Sequence, residues 1–125
     1  MSNILEFYND NVIALALYLE PVLLEIAEED DLISLLNNAL KLIENQDYLS
    51  LIGEEADDLW DICLESYIDE CIIPEIPEHL QNYFDNKAWK DDARYDWRGH
   101  AIASYDGEEN EQVYNGTTYY IYRNN

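Results

Sequence analysis

Residues 54–73, which read EEADDLWDICLESYIDECII, carry the most regular hydrophobic pattern of this sequence. The apolar side chains recur at helical spacing, and Pro74 follows directly. Proline cannot continue a helix because it lacks an amide hydrogen and its ring collides with the preceding turn. We therefore expect one helix over residues 54–73. Its apolar side is expected to consist of Ala56, Leu59, Trp60, Cys63, Tyr67, Ile68 and Cys71.

The residues before this helix predict a leucine-rich helical segment. Asn9 or Asp10 can cap a first helix, which must end or kink at Pro21. A second, short helix is expected over residues 22–28, and a third begins at the acidic residues 28–31. Residues 47–51 are expected to form only a short turn.

The residues after the helix predict a change towards β-structure. Residues 77–83 suit a short helix, and Asp85 can cap another over residues 86–95. From residue 100 the hydrophobic period becomes two, so residues 100–105 are expected to form a strand. Asn115-Gly116 precedes the run TTYYIYR and predicts a β-hairpin.

These patterns together predict an α+β protein. An acidic, leucine-rich helical body is followed by a small antiparallel β-sheet or hairpin at the C-terminus. We divide the chain into a helical acidic segment, residues 1–52, and a region of helices followed by the hairpin, residues 53–125. No Gly/Ser-rich linker separates the two, so we expect them to pack as one continuous domain.

The charge of the chain is unusual for a folded protein. There are 28 aspartates and glutamates against 6 lysines and arginines, so the net charge is −22. The hydrophobic fraction of 48% is too high for a disordered acidic chain. A protein that binds nucleic acid or an anionic membrane directly needs the opposite charge. We therefore expect neither as a direct partner.

The cysteines and the apolar runs indicate a cytoplasmic protein. On one helix, Cys63 and Cys71 would lie about 12 Å apart between Cα atoms, whereas a disulfide needs less than about 7 Å. The sequence has no signal-peptide pattern, and its longest apolar run, residues 12–19, is too short to span a bilayer.

Motifs for catalysis or for cofactor binding are missing from the sequence. The four glycines are scattered, so no phosphate-binding loop is present. His79 and His100 stand alone, and residues 106–111 fail the pattern of a calcium-binding loop. We therefore expect a protein that is not an enzyme and that holds neither a cofactor nor a metal ion.

Five acidic residues follow one side of the expected helix at spacings of 4, 3, 4 and 4, and we call them the acidic stripe: Glu54, Asp58, Asp61, Glu65 and Asp69. The acidic stripe covers about 22 Å at about 1.5 Å per residue. The helix contains no lysine or arginine. Ordinary surface helices often place a lysine or an arginine four residues after a glutamate. Each such ion pair stabilises the helix by roughly 0.2–0.5 kcal/mol. We expect the acidic stripe to be exposed and without cationic partners.

A rigid row of carboxylates can imitate nucleic acid. Duplex DNA presents one negative charge per roughly 1.7 Å of its axis. A second group of acidic residues, which we call the acidic run, consists of Glu28, Glu29, Asp30 and Asp31. Together, the acidic stripe and the acidic run would cover a patch of the size of a DNA duplex. A plain solubilising surface would instead mix acids with bases, whereas the first 86 residues hold 21 acids and one base, Lys41.

Four segments resemble a known family. They are GEEADDLW (53–60), IPEHLQNYFD (76–85), AWKDD (88–92) and YYIYR (119–123). In this order they are similar to the C-terminal part of ArdA-type antirestriction proteins. The resemblance implies a dimeric DNA mimic that occupies the DNA groove of type I restriction–modification enzymes and is carried by a phage, a plasmid or a conjugative element. Residues 1–52 depart from the α/β portion that such proteins usually carry there.

We therefore expect a DNA mimic that inhibits a DNA-binding host-defence enzyme through that enzyme's basic groove. The target is a type I restriction–modification enzyme (antirestriction) or an RNA-guided nuclease (anti-CRISPR). The alternative is an acidic immunity-type protein that neutralises a basic nuclease toxin. A mimic competes with DNA and is sensitive to salt, whereas an immunity protein depends on a few aromatic anchors.

Overall fold

The fold is given by a computed structural model that describes residues 4–94 and 98–125. Within these residues, the helices are α1 (Asp10–Leu19), α2 (Glu29–Glu44), α3 (Gly53–Tyr67), α4 (Asn86–Ala93) and α5 (Arg98–Ile102). The strands are β1 (Tyr48–Ile52), β2 (Asn110–Tyr114) and β3 (Thr117–Arg123). Short 3₁₀ turns lie at Ile4–Phe7, Leu23–Glu25, Ile73–Glu75 and Glu78–Tyr83, and a π-helical turn lies at Ile68–Ile72.

The three strands form one antiparallel sheet in which β3 lies between β1 and β2. Asn115 and Gly116 join β2 to β3 with φ angles of 52° and 79°, the left-handed values that an Asn-Gly hairpin turn requires. The predicted α+β class and the predicted hairpin are confirmed. The expected turn at residues 47–51 is wrong, because this segment is strand β1, which pairs with β3 and places Ser50 opposite Ile121.

The central strand β3 supplies side chains to two hydrophobic cores. Tyr119 and Ile121 share the face that packs against α1 and α2. Tyr122 lies on the other face, where it packs with Ala56 of α3 and Ile102 of α5. Burial on both faces explains why residues 119–122 of β3, which read YYIY, form a continuous apolar run and do not alternate with polar residues.

Two expected elements in the rest of the chain are wrong. Residues 22–28 form only the turn Leu23–Glu25, because one buried side chain, Leu23, gains too little to offset helix nucleation. Residues 100–105 do not form a strand, since α5 extends to Ile102. The helical turn buries Ile102 against α3, and this packing outweighs a weak period-two pattern.

The long helix expected over residues 54–73 is present but changes its geometry near the end. α3 runs to Tyr67 and continues as the π-helical turn, which is wider than an α-helical one. This change of register turns Cys71 into solvent, so its expected place on the apolar side is wrong. None of the helices that the structure describes combines the length and the apolar character that crossing a bilayer requires.

The helix α4 begins as the sequence indicates. The Asp85 carboxylate accepts a hydrogen bond from the backbone N–H of Ala88 at 3.0 Å and so caps the first turn. α4 ends at Ala93. Tyr95, the last residue of the helix expected here, lies outside the described residues.

Candidate functional site

The acidic run lies at the start of α2. Glu28 precedes the helix, and Glu29, Asp30 and Asp31 occupy its first turn. All four side chains are exposed. Acidic groups are favoured there, because the N-terminal end of a helix carries a partial positive charge. Lys41 lies in the last turn of the same helix and, within the described part of the chain, forms no ion pair.

The acidic stripe is not uniform. Glu54, Asp58 and Asp69 are exposed, as expected. Asp61 and Glu65 are half-buried and form ion pairs with cations of α4 and the residue that follows it. The expectation that the whole stripe is exposed and lacks cationic partners is therefore wrong for these two residues.

Three cations form ion pairs with carboxylates of α3: Lys90 of α4, Arg94 directly after α4 and Arg98 of α5. Together these residues form an ion-pair ladder. Arg98 binds Asp57 at 2.8 Å, and Arg94 binds Asp61 at 2.8 Å. Lys90 binds Glu65 at 2.6 Å and Asp61 at 3.2 Å. The cations follow one another along the chain in the order opposite to that of their carboxylates, since Asp57, Asp61 and Glu65 meet Arg98, Arg94 and Lys90 in turn.

The ends of the ion-pair ladder are electrostatically distinct. At one end, the hydrogen bond to Glu65 raises the pKa of Lys90. At the other end, burial disfavours the charged form of Arg98, but hydrogen bonds to Glu109 and Asp57 outweigh it and raise the pKa of Arg98. The hydroxyl of Tyr122 also donates a hydrogen bond to Glu109. Burial is the main cause that raises the pKa of Tyr122, and this hydrogen bond is the second. Arg98 thus stays charged inside a partly buried polar cluster.

Sequence reasoning missed this ladder, although a signal for it exists. Lys90, Arg94 and Arg98 are spaced by four residues, and so are Asp57, Asp61 and Glu65. Equal spacing along two stretches of sequence allows repeated pairing when the residues that carry the charges lie side by side in the fold. Asp57, which we did not assign to the acidic stripe, is a full member of the ladder.

The second feature of this region is a cavity of about 650 Å³, which we call the aromatic cleft. It opens between α3, α4 and α5. Tyr67 of α3 stacks on Trp89 of α4, with ring centroids 5.5 Å apart and planes 14° apart. The residues that supply its walls include Trp60, Cys63, Tyr67, Trp89, Asp92 and His100. None of these residues was a predicted site residue.

The groups that could support metal or thiol chemistry are sparse. Within residues 4–94 and 98–125, no three His, Cys, Asp or Glu side chains are grouped so as to hold a metal ion. Burial raises the pKa of the Cys63 thiol, which lowers the fraction of the reactive thiolate.

Comparisons with protein-family models, with curated proteins and with solved structures find no match. The resemblance to ArdA-type antirestriction proteins stays a prediction.

Proposed function

We propose that this protein is a non-enzymatic DNA mimic that inhibits a DNA-binding host-defence enzyme in the cytoplasm of the host cell. The target would be a type I restriction–modification enzyme or an RNA-guided nuclease. The main support is a set of exposed carboxylates that form no ion pair within the described chain: Glu28, Asp30, Asp31, Glu54, Asp58 and Asp69.

The position of the cations strengthens this argument. All four cations of residues 87–98 form ion pairs with carboxylates of α3, of α4 or of the segment before β2. Within the described residues, none of these four cations pairs with Glu28, Asp30, Asp31, Glu54, Asp58 or Asp69. A basic groove built for phosphates would be attracted to such a surface over a distance of about a Debye length, roughly 10 Å at 0.1 M salt.

Competition for DNA tests the proposal. A labelled duplex is bound to a purified target enzyme, and its displacement by this protein is followed by fluorescence anisotropy. We expect direct displacement that weakens steeply between about 50 and 300 mM NaCl, since each lost charge contact carries a salt dependence.

A triple variant locates the mimic surface. Glu54→Gln, Asp58→Asn and Asp69→Asn together remove three exposed charges, which should raise the concentration needed for half-displacement at least about threefold. The matched control is Glu6→Gln, Glu44→Gln and Glu111→Gln, which removes the same charge from exposed positions elsewhere. Equal effects of the two triple variants would contradict mimicry by the acidic stripe. Inhibition that persists without any DNA displacement would favour the immunity-type alternative.

A further inference from the structure

We infer that the aromatic cleft binds an arginine side chain of the partner protein. The assignment of the partner rests on the proposed function, since a DNA-binding enzyme displays arginines in its groove. The preference for a guanidinium rests on the cleft itself, which combines aromatic rings with a carboxylate.

The molecule shows how its own surfaces hold a guanidinium. The guanidinium carbon of Arg98 lies 4.5 Å from the ring centroid of Tyr120, while its nitrogens bind Asp57 and Glu109 at 2.8 Å. Arg94 repeats the arrangement, because its guanidinium lies 5.7 Å from the Trp60 ring and binds Asp61 at 2.8 Å. In both places a ring and a carboxylate act on one cation.

The aromatic cleft offers the same two components. Trp89 and Tyr67 form its stacked aromatic wall, and Asp92 lies at the same cavity. The Asp92 carboxylate is exposed and forms no ion pair with any cation of residues 4–94 and 98–125. The remaining walls include Cys63 and Ala93, which are small and add no competing charge.

Charge and geometry both select arginine as the occupant. The net charge of −22 concentrates cations at the surface and disfavours an anionic ligand. A guanidinium is planar, stacks on tryptophan and can bind a carboxylate through two N–H groups. The ammonium of lysine is a more strongly hydrated point charge and cannot do both equally well. Buried aromatic and arginine pairs are also the contacts that dominate many protein interfaces.

The test uses blocked tripeptides as probes. Acetyl-Gly-Arg-Gly-amide is titrated into the full chain, and the indole N–H signals of Trp60 and Trp89 are followed by NMR. The matched probe is acetyl-Gly-citrulline-Gly-amide, which has nearly the same shape and no charge. We expect shifts with the arginine peptide, weaker shifts with the lysine analogue and none with the citrulline peptide. Equal shifts with arginine and citrulline, or none with any peptide, would overturn the inference.

A pair of variants places the binding in the cleft. Asp92→Asn should weaken binding of the arginine peptide at least about fivefold, because it removes the carboxylate that pairs with the guanidinium. Glu44→Gln removes the same charge from an exposed position outside the cleft and outside the acidic stripe, and it should change the affinity by less than about twofold. Equal losses in the two variants would show attraction by net charge alone and would contradict the inference.

Two further results separate this inference from the proposed function. Tighter binding of free L-arginine than of the blocked peptide would indicate a small-molecule site and overturn the assignment to a protein partner. Selective binding of the arginine peptide without any displacement of DNA would leave the inference standing and contradict the DNA mimic. If Asp92→Asn displaces DNA as well as the parent does and the cleft shows no preference for arginine, the DNA mimic would stand and this inference would be contradicted.

Discussion

Glu109 joins two parts of the polar network that surrounds the second hydrophobic core. Its carboxylate accepts a hydrogen bond from Nε of Arg98 at 2.8 Å and another from the hydroxyl of Tyr122. Arg98 in turn donates to the backbone oxygen of Gly53, at the first residue of α3. Through these contacts a side chain of β3 is coupled to the N-terminus of α3 and to the ion-pair ladder.

The network predicts a loss of stability in alkaline solution. The folded-state pKa of Tyr122 lies above its unfolded value of about 10. Above about pH 10 the unfolded chain therefore releases a proton that the folded protein keeps. The stability from this group is fully present at lower pH and falls by up to about 1.4 kcal/mol per pH unit as the pH rises. In Tyr122→Phe the free energy of unfolding should therefore fall less steeply with pH, by up to about 1.4 kcal/mol per pH unit.

Urea unfolding between about pH 9 and 11.5 measures this slope. Tyr83→Phe is the control, because Tyr83 is 83% exposed and its loss leaves the cores intact. The same slope in the parent and in Tyr122→Phe would contradict the role assigned to the buried hydroxyl. Burial also raises the pKa values of Tyr114 and Tyr119, which keep contributing in both proteins.

At the scale of the elements, α5 is positioned by a close approach of two backbone segments. A Cβ atom added at Gly99 would lie 2.6 Å from the backbone oxygen of Gly107 and 2.9 Å from backbone atoms of Glu108 and Glu109. No flexible side chain is involved, so the clash could be relieved only by moving the chain. This contact fixes α5 against the segment that carries Glu109.

Gly99→Ala should therefore be strongly destabilising, by about 2–4 kcal/mol, because overpacking here forces backbone shifts. Gly116→Ala is the comparison. An added Cβ at Gly116 meets nothing within 4 Å, so only its φ of 79° opposes the substitution, at about 1 kcal/mol. Thermal unfolding of both variants measures the difference. A smaller loss for Gly99→Ala than for Gly116→Ala would show that the segment near Gly107 can move away at little cost.

The elements that the sequence predicts well are those whose pattern is local. α2, α3 and the hairpin β2–β3 follow from helical spacing and from Asn115-Gly116. Strand β1 was missed because Tyr48–Ile52 owes its conformation to β3, about 70 residues further along the chain. The site divides in the same way: a single sequence reveals the acids of α3, but the packing of Lys90 and Arg94 against them depends on tertiary structure.

At the scale of the whole molecule, the distribution of charge is lopsided. Five of the six cations lie beyond residue 86, and within residues 4–94 and 98–125 four of these form ion pairs with nearby carboxylates. The first 86 residues hold 21 acids and only Lys41 as a base. Folding therefore brings many like charges together, and their mutual repulsion opposes the compact state.

Salt should relieve this repulsion. We predict that the melting temperature rises between low salt and about 0.5 M NaCl, because screening weakens the many repulsive pairs more than it weakens the few attractive ones. Differential scanning calorimetry measures the shift, and a neutral solute at equal osmolality is the control. A flat or falling melting temperature would indicate that the ion-pair ladder outweighs the repulsion among the other acids.

The central position of β3 has a consequence for how the protein is made. Both hydrophobic cores contain side chains of β3, and β1 and β2 pair with it and not with each other. During translation, the leucine-rich helices emerge from the ribosome while the strand that must cover them has yet to be synthesised. For that interval we expect the apolar surface that β3 later covers to stay open to solvent, where repulsion among the acids of the nascent chain would oppose contact between neighbouring chains.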